Sequence, residues 1–230
     1  MIDILQASSV FGLLLTIVAY KVGEFASRKL KISILSPFLA TVLIVIAFLL
    51  VFDIDYEVYE KGASYLTYLL TPATICLAIS LYEQIELLKN NLKAIVISVT
   101  AGAISSMICV YIMSRLFQLD YSTYLTILPK SITTAIALGV AEEYGCQVTI
   151  MILAIMVTGV TGNSLAVLIC KLAKIKNPIS RGLAIGTSSH GVGTAKAIEM
   201  GEIEGAMSGL AIVISGIATV AFISFFVMLY

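Results

Sequence analysis

Tryptophan is missing from the 230 residues, histidine occurs once, and charged residues make up only 12%. A single histidine with no Cys, Asp or Glu clustered around it makes a poor metal site. The charges balance at 14 basic and 14 acidic, which leaves neither a basic face for nucleic acid nor an acidic tail. The cysteines Cys76, Cys109, Cys146 and Cys170 show no CxxC or Cys/His grouping and indicate no disulfide framework. No cofactor is expected. GxSxG is absent and no acidic orienter stands beside the histidine, so the chain is not expected to be an enzyme.

What the chain has in abundance is apolar sequence. Hydrophobic residues reach 60% and the mean hydropathy is +1.05, far outside soluble globular composition. A bilayer core takes a helix of ~20 apolar residues, roughly 17–25. Uncharged runs of that order are Ile4–Tyr20, Ile32–Phe52, Ala63–Tyr82, Ala94–Ser114, Tyr144–Cys170 and Gly205–Tyr230. The first has no basic n-region and no small-residue cleavage site, so it reads as a retained span rather than a signal peptide. Two further segments are interrupted: Tyr121–Ala141 carries Lys130 in its middle, and Gly182–Glu199 is rich in Gly, Ser and Thr. The expected fold is an all-α polytopic membrane protein, a single integral-membrane domain over 1–230. It should have about six full transmembrane helices plus two broken or re-entrant segments, Tyr121–Ala141 and Gly182–Glu199.

Loop charge sets the expected orientation through the positive-inside tendency. Lys21, Arg28, Lys29 and Lys31 follow the first run, which puts that loop inside and the N-terminus outside. Asp53, Asp55, Glu57 and Glu60 then fall outside, Lys89 and Lys93 inside, Asp120 outside, and Lys171, Lys174, Lys176 and Arg181 inside. The count closes only if Tyr121–Ala141 begins and returns on the outer side, and Gly182–Glu199 dips in from the cytoplasm. The two segments then enter from opposite faces and meet near the midplane, as broken helices do in secondary transporters. Ala94–Ser98 recurs as Ala211–Ser215, a hint of duplication. Both copies share one direction in this topology, which does not suit an inverted repeat.

Polar backbone at membrane depth is tolerated only where protein or a wet cavity satisfies it, so the two interrupted segments are the candidate site. In the first, Pro129 breaks the helix, and Ser131, Thr133 and Thr134 supply hydroxyls beside Lys130. An intramembrane cation next to hydroxyls and a helix N-terminus suits a small carboxylate. The alternative is that Lys130 snorkels to the outer headgroups and Pro129 merely starts a helix. In the second, Thr187, Ser188, Ser189, His190 and Thr194 stand among glycines, with Lys196 just beyond. Glycine permits backbone conformations closed to other residues and close approach of a ligand, and His190 can change charge near neutral pH. Gly182/Gly186 and Gly201/Gly205/Gly209 have the spacing of close helix packing instead. Pro72 and Thr74, at a predicted kink, and Asn163, beside Thr158-Gly159 and Thr161-Gly162, are candidates for the cavity lining. Asn163 equally suits bridging between helices.

The blocks Thr71–Tyr82, Leu128–Ala137, Thr158–Gly162 and Gly186–Ala197, in this order over nearly the whole chain, resemble the LrgB family, also called the CidB/LrgB or antiholin-like family. Its pattern has Gly where Thr71 stands, Pro where Ala135 stands and often Arg where Lys196 stands. The missing Pro bears on how sharply the first segment breaks, and Lys in place of Arg forfeits a planar bidentate grip on a carboxylate. The resemblance implies a multi-pass bacterial inner-membrane protein, working with a smaller LrgA-type partner in control of murein hydrolases and autolysis. It also implies transport of small 2-oxo or 2-hydroxy monocarboxylates such as pyruvate, glycolate or glycerate.

Two functions from different classes follow as expectations. One is a carrier, or carrier subunit, whose small carboxylate substrate is met by Lys130, Ser131, Thr133 and Thr134 from one side and Ser188, Ser189 and His190 from the other. His190 would couple transport to a proton. The other is a holin-like regulator or oligomeric pore, with the small-residue faces pairing in a homodimer.

Overall fold

The computed structural model describes residues 10–30, 37–69, 72, 75–76, 79 and 82–230. Among these residues there are nine α-helices and no strand, in agreement with the all-α expectation. They form two compact units that divide after Cys76.

The first unit holds α1 (Phe11–Leu30), α2 (Pro37–Val51), α3 (Tyr56–Ala63) and a 3₁₀ stretch, Ser64–Leu69. Glycines set its packing. A Cβ on Gly12 would collide with the Tyr59 carbonyl, and one on Gly23 would sit 3.1 Å from Ala40 Cβ. The Thr16 hydroxyl donates to the Gly12 carbonyl at 2.7 Å and lies 2.9 Å from the Tyr59 hydroxyl. Of the helix expected over Ile4–Tyr20, Phe11–Tyr20 is helical and residues 4–9 lie outside the described residues. Residues 21–29, read from their charge as a loop, continue α1, where Lys21 pairs with Glu24 at 3.3 Å. The described part of apolar α2 has 15 residues, or ~22 Å, and residues 32–36 of the expected run Ile32–Phe52 lie outside the described residues. Eight of the twenty residues of the expected run Ala63–Tyr82, Thr74 among them, fall outside the described residues.

The second unit contains α4 (Ile85–Leu116), α5 (Tyr121–Ile127), α6 (Thr134–Tyr144), α7 (Val148–Leu172), α8 (Pro178–Met200) and α9 (Glu202–Leu229). Residues Lys89–Leu116, Val148–Leu172 and Glu202–Leu229 are long and apolar enough to cross a membrane, and they answer to three of the expected runs. Helices α4 and α9 run the same way. Ile95 and Val99 cluster with Ala206, Met207 and Ala211, while further along Met107 and Val110 cluster with Ile223 and Phe226. The Ala94–Ser98 and Ala211–Ser215 echo therefore joins two parallel helices. Helix α7 runs against them: Gln147, just before it, donates its N–H to Thr126 near the α9 C-terminus, and Cys170 lies by the α9 N-terminus.

Two helical hairpins complete the unit, entering from opposite ends. The first comprises α5, a break over residues 128–133, and α6. The Tyr124 hydroxyl donates to the Phe226 carbonyl at 2.8 Å, and the returning chain brings Gln147 Nε2 within 3.2 Å of the Ser122 hydroxyl. It ends at Gly145, whose φ of +68° closes the α6 C-terminus in the left-handed conformation. With 7 and 11 residues, its arms are ~10 and ~16 Å long, and neither spans a bilayer. The second hairpin is α8. Residues 178–189 and 191–200 are its two arms, separated at His190 by φ 42° and ψ −142°. In a straight helix Gly182 and Ile198 would stand ~24 Å apart. Here a Cβ on Gly182 would meet the Glu204 carbonyl, and one on Gly205 would stand 3.0 Å from Ile198, so both arms lie against the first turn of α9. Asp120, Glu142 and Glu143 mark one end of the unit, and Lys89, Lys93 and residues 171–181 the other.

Candidate functional site

The hairpin tips meet at the middle of α4. Pro129 has no N–H to give, and between it and Ile132 the chain makes only isolated turn bonds, Lys130 N–H to the Ile127 carbonyl at 3.1 Å and Ile132 N–H to the Pro129 carbonyl at 3.2 Å. Helix α6 then starts at Thr133 with no side-chain cap, which leaves N–H groups of its first turn without intrahelical acceptors. Ala135 lies in that first turn, so the break is set upstream of it and does not need a proline there.

A cavity of about 540 Å³ lies between the first tip, α4 and the first arm of α8. Lys130, Ser131, Thr187 and Ser188 line it, so these four expected residues are brought together. The Lys130 Nζ donates to the Ser131 hydroxyl at 3.2 Å, and that hydroxyl lies 2.9 Å from the Ser106 hydroxyl on α4. Among the described residues Lys130 is the one charged side chain in the lining, and no carboxylate shares it. Ser98, Gly102, Ser105 and Ser106 of α4 and Ser180 of α8 also line the cavity and were not singled out from the sequence. Their signal was there: positions 98, 102, 105 and 106 share one face of a helix. A Cβ on Gly102 would come within 2.9 Å of the Thr187 methyl, so the glycine lets α8 approach that face.

Ser189, His190 and Thr194 serve the second tip rather than the cavity. His190 Nε2 lies 3.0 Å from the Ile155 carbonyl; since a carbonyl only accepts, this nitrogen carries the proton. The Thr194 hydroxyl donates to the His190 carbonyl at 3.0 Å and stands 2.7 Å from the Ser208 hydroxyl of α9. Asn163 is 5% exposed and its Nδ2 donates to the Val192 carbonyl at 2.8 Å, so it bridges helices instead of facing the cavity. Thr133 and Thr134 follow Ser131 at the start of α6 and are half-buried outside the lining. Lys196 pairs with Glu199 at 2.7 Å, away from the cavity. Pro72 is exposed in the first unit.

The left-handed backbone expected of the glycines falls on His190 instead: Gly186, Gly191 and Gly193 have no positive φ. The glycines that matter are on other helices and provide room. A Cβ on Gly159 would come within 2.7 Å of the His190 ring, and one on Gly162 would overlap the Ser189 side chain. Gly182 and Gly186 let the first arm press onto the α9 backbone, which is the close packing their spacing indicated. Among the described residues there is no cluster of three or more His, Cys, Asp or Glu side chains suited to a metal ion.

Residues 16–229 match the LrgB-like family. The antiholin-like protein LrgB of Bacillus subtilis (strain 168) is 38% identical over 223 residues, 96% of each chain. Proteins of the same name from Bacillus mycoides (strain KBAB4) and Bacillus cereus (strain B4264) are each 35% identical over 217 residues, 94% of each chain. No solved structure matches the chain.

Proposed function

The chain belongs to the LrgB-like family, and on that premise we propose that it is a multi-pass cell-membrane carrier, or carrier subunit, for a small monocarboxylate such as pyruvate, glycolate or glycerate. The observation that carries this reading is Lys130: the one charged group in a cavity otherwise lined by hydroxyls and apolar atoms, at the tip of a broken helix. A carboxylate there gains an opposite charge and uncapped N–H groups nearby, the combination that broken helices offer to anionic substrates. Ser131, Ser106, Thr187 and Ser188 would orient the rest of the molecule.

Orientation follows from charge. The end of the second unit that carries Lys89, Lys93 and residues 171–181 is the basic one, and the positive-inside tendency places it in the cytoplasm. The hairpins then re-enter the membrane from opposite faces; for the first unit, the basic residues Lys21, Arg28, Lys29 and Lys31 taken by themselves favour an N-terminus outside.

The test is uptake of labelled pyruvate, glycolate and glycerate into liposomes holding the purified chain, with and without an LrgA-type partner, alongside Lys130→Ala. Saturable uptake lost in the variant supports the proposal. Absence of uptake with and without the partner rejects it. A second reading rests on the relatives' name, antiholin-like protein: a regulator of murein hydrolase activity and lysis acting through an oligomeric pore or protein contacts. It predicts nonselective leakage, insensitivity to Lys130→Ala, and sensitivity at the glycine faces.

A further inference from the structure

The two hairpins are held in different ways. The second is docked backbone to backbone. Gly162 receives Ser189, Gly186 presses on the Ser208 carbonyl, and its tip is tied to α7 through the Ile155 carbonyl and Asn163. Thr194 and Ser208 join its second arm to α9 at 2.7 Å, and Arg181 and Glu204 pair at 3.7 Å at its base. The tip of the first hairpin has one side-chain link to its surroundings, the 2.9 Å contact between Ser131 and Ser106. Its arms lie mostly on apolar side chains, Tyr124, Leu128 and Val140 against α4 and α9, and Ile132 and Ala137 against Met151 and Ile155 of α7; their hydrogen bonds to α9, from Tyr124 to the Phe226 carbonyl and between the Tyr144 and Ser224 hydroxyls, both at 2.8 Å, lie at the base of the hairpin and not at its tip. Apolar side-chain surfaces permit small sliding shifts that interlocked, hydrogen-bonded backbones resist.

The position of the cavity gives this difference a consequence. At the basic end its lining residues Ser98, Ser180 and Ala184 are exposed. Toward the Asp120 end the way is filled by Met107, Tyr124, Leu128 and Phe226, all buried, two of them on the first hairpin. A ligand beside Lys130 meets these side chains on the way to that end, and Tyr124 and Leu128 would be carried aside by a shift of the first hairpin.

We infer that the first hairpin, residues 121–144, is the moving gate of the carrier and that the second, residues 178–200, is a fixed post. This rests on the carrier reading, and the experiment separates the two. In full-length protein with the native cysteines replaced by alanine, the pairs Ser106→Cys/Ser131→Cys and Thr194→Cys/Ser208→Cys are each cross-linked by oxidation, with formation checked by mass spectrometry. Pyruvate uptake is compared between the oxidised and reduced forms of the same variant. Oxidation of the first pair should lower uptake at least tenfold, reversibly, and oxidation of the second less than twofold. Strong inhibition by the second cross-link, or none by the first, overturns the inference. Hydrogen exchange of the wild-type chain in nanodiscs supplies a readout that needs no transport. Amides of residues 128–138 should exchange at least tenfold faster than those of 186–197. Equal or reversed rates overturn the gate even if uptake occurs, whereas the expected rates without uptake leave a mobile first hairpin and reject the carrier alone.

Discussion

Gly162 lies directly beneath Ser189, and the serine side chain occupies the space where a glycine Cβ would stand. The contact joins two blocks that are far apart in the chain and makes the turn at His190 possible. Gly162→Ala should therefore destabilise the protein by about 1–3 kcal/mol, the usual range for overpacking, and displace the second tip. Gly191→Ala, where nothing lies within 4 Å, should stay within about 0.5 kcal/mol. Thermal unfolding of the two purified variants checks this, and equal midpoints would refute it.

Asn163 is expected to act on the same turn. Asn163→Ala leaves the Val192 carbonyl without the donor it has at 2.8 Å, which costs about 1–3 kcal/mol for a buried group. Asn163→Asp should be worse, because it turns an acceptor toward an acceptor. Unfolding midpoints in the order wild type, Ala, Asp are the expected result.

His190 has become a clasp in this geometry, with Nε2 donating to the Ile155 carbonyl. A glutamine side chain keeps an N–H donor, so His190→Gln should preserve the fold better than His190→Ala and leave the pH profile of uptake unchanged. A profile flattened by the Gln variant would instead return His190 to the proton-coupling role its titration range suggests.

At the cavity, Lys130→Arg should retain part of the uptake and Lys130→Met almost none. Ser106→Ala should raise KM several-fold while kcat changes less, since it frees the Ser131 hydroxyl without removing the charge. Saturation curves for the purified variants decide this, and equal curves for Arg and Met would show that the charge is not used.

One pH effect on stability lies at the start of the first hairpin. The Asp120 carboxylate accepts from the Thr123 hydroxyl at 2.6 Å and the Thr123 N–H at 3.0 Å, which holds its carboxyl below the usual 3.8. A carboxyl depressed on folding stabilises above its unfolded pKa, and the effect is lost as pH falls through the folded one. Wild type should exceed Asp120→Ala in unfolding midpoint near pH 6, with the gap closing below about pH 3.8. A constant gap would show that the cap does not depend on ionisation.

The breaks were legible because Pro129 and the glycine-rich stretch contradict the apolar periodicity around them; the return of each segment to its own side of a membrane is what charge parity proposes. Lys130 and Ser131 were legible for the same reason. Ser98, Ser105 and Ser106 were not, because isolated serines in an apolar helix are common, and only the neighbouring tip shows which face they share. Glycine was misjudged in kind. Its conformational freedom is used at Gly145, whereas at Gly159 and Gly162 its value is the missing side chain, which a sequence cannot assign without knowing what lies opposite. The extent of α1 was also misread, since charge alone marked residues 21–29 as a loop although they are compatible with helix.

The second hairpin is wedged between α7, made before it on the ribosome, and α9, made after it. Its tip needs partners from both: Ile155 and Asn163 from the earlier helix, Ser208 from the later one. The contacts that seat residues 178–200 can therefore be completed only once α9 has been made. The cavity lining itself comes from α4, the first tip and the first arm of α8, so α9 bears on it at one remove, as the wall against which that arm is seated.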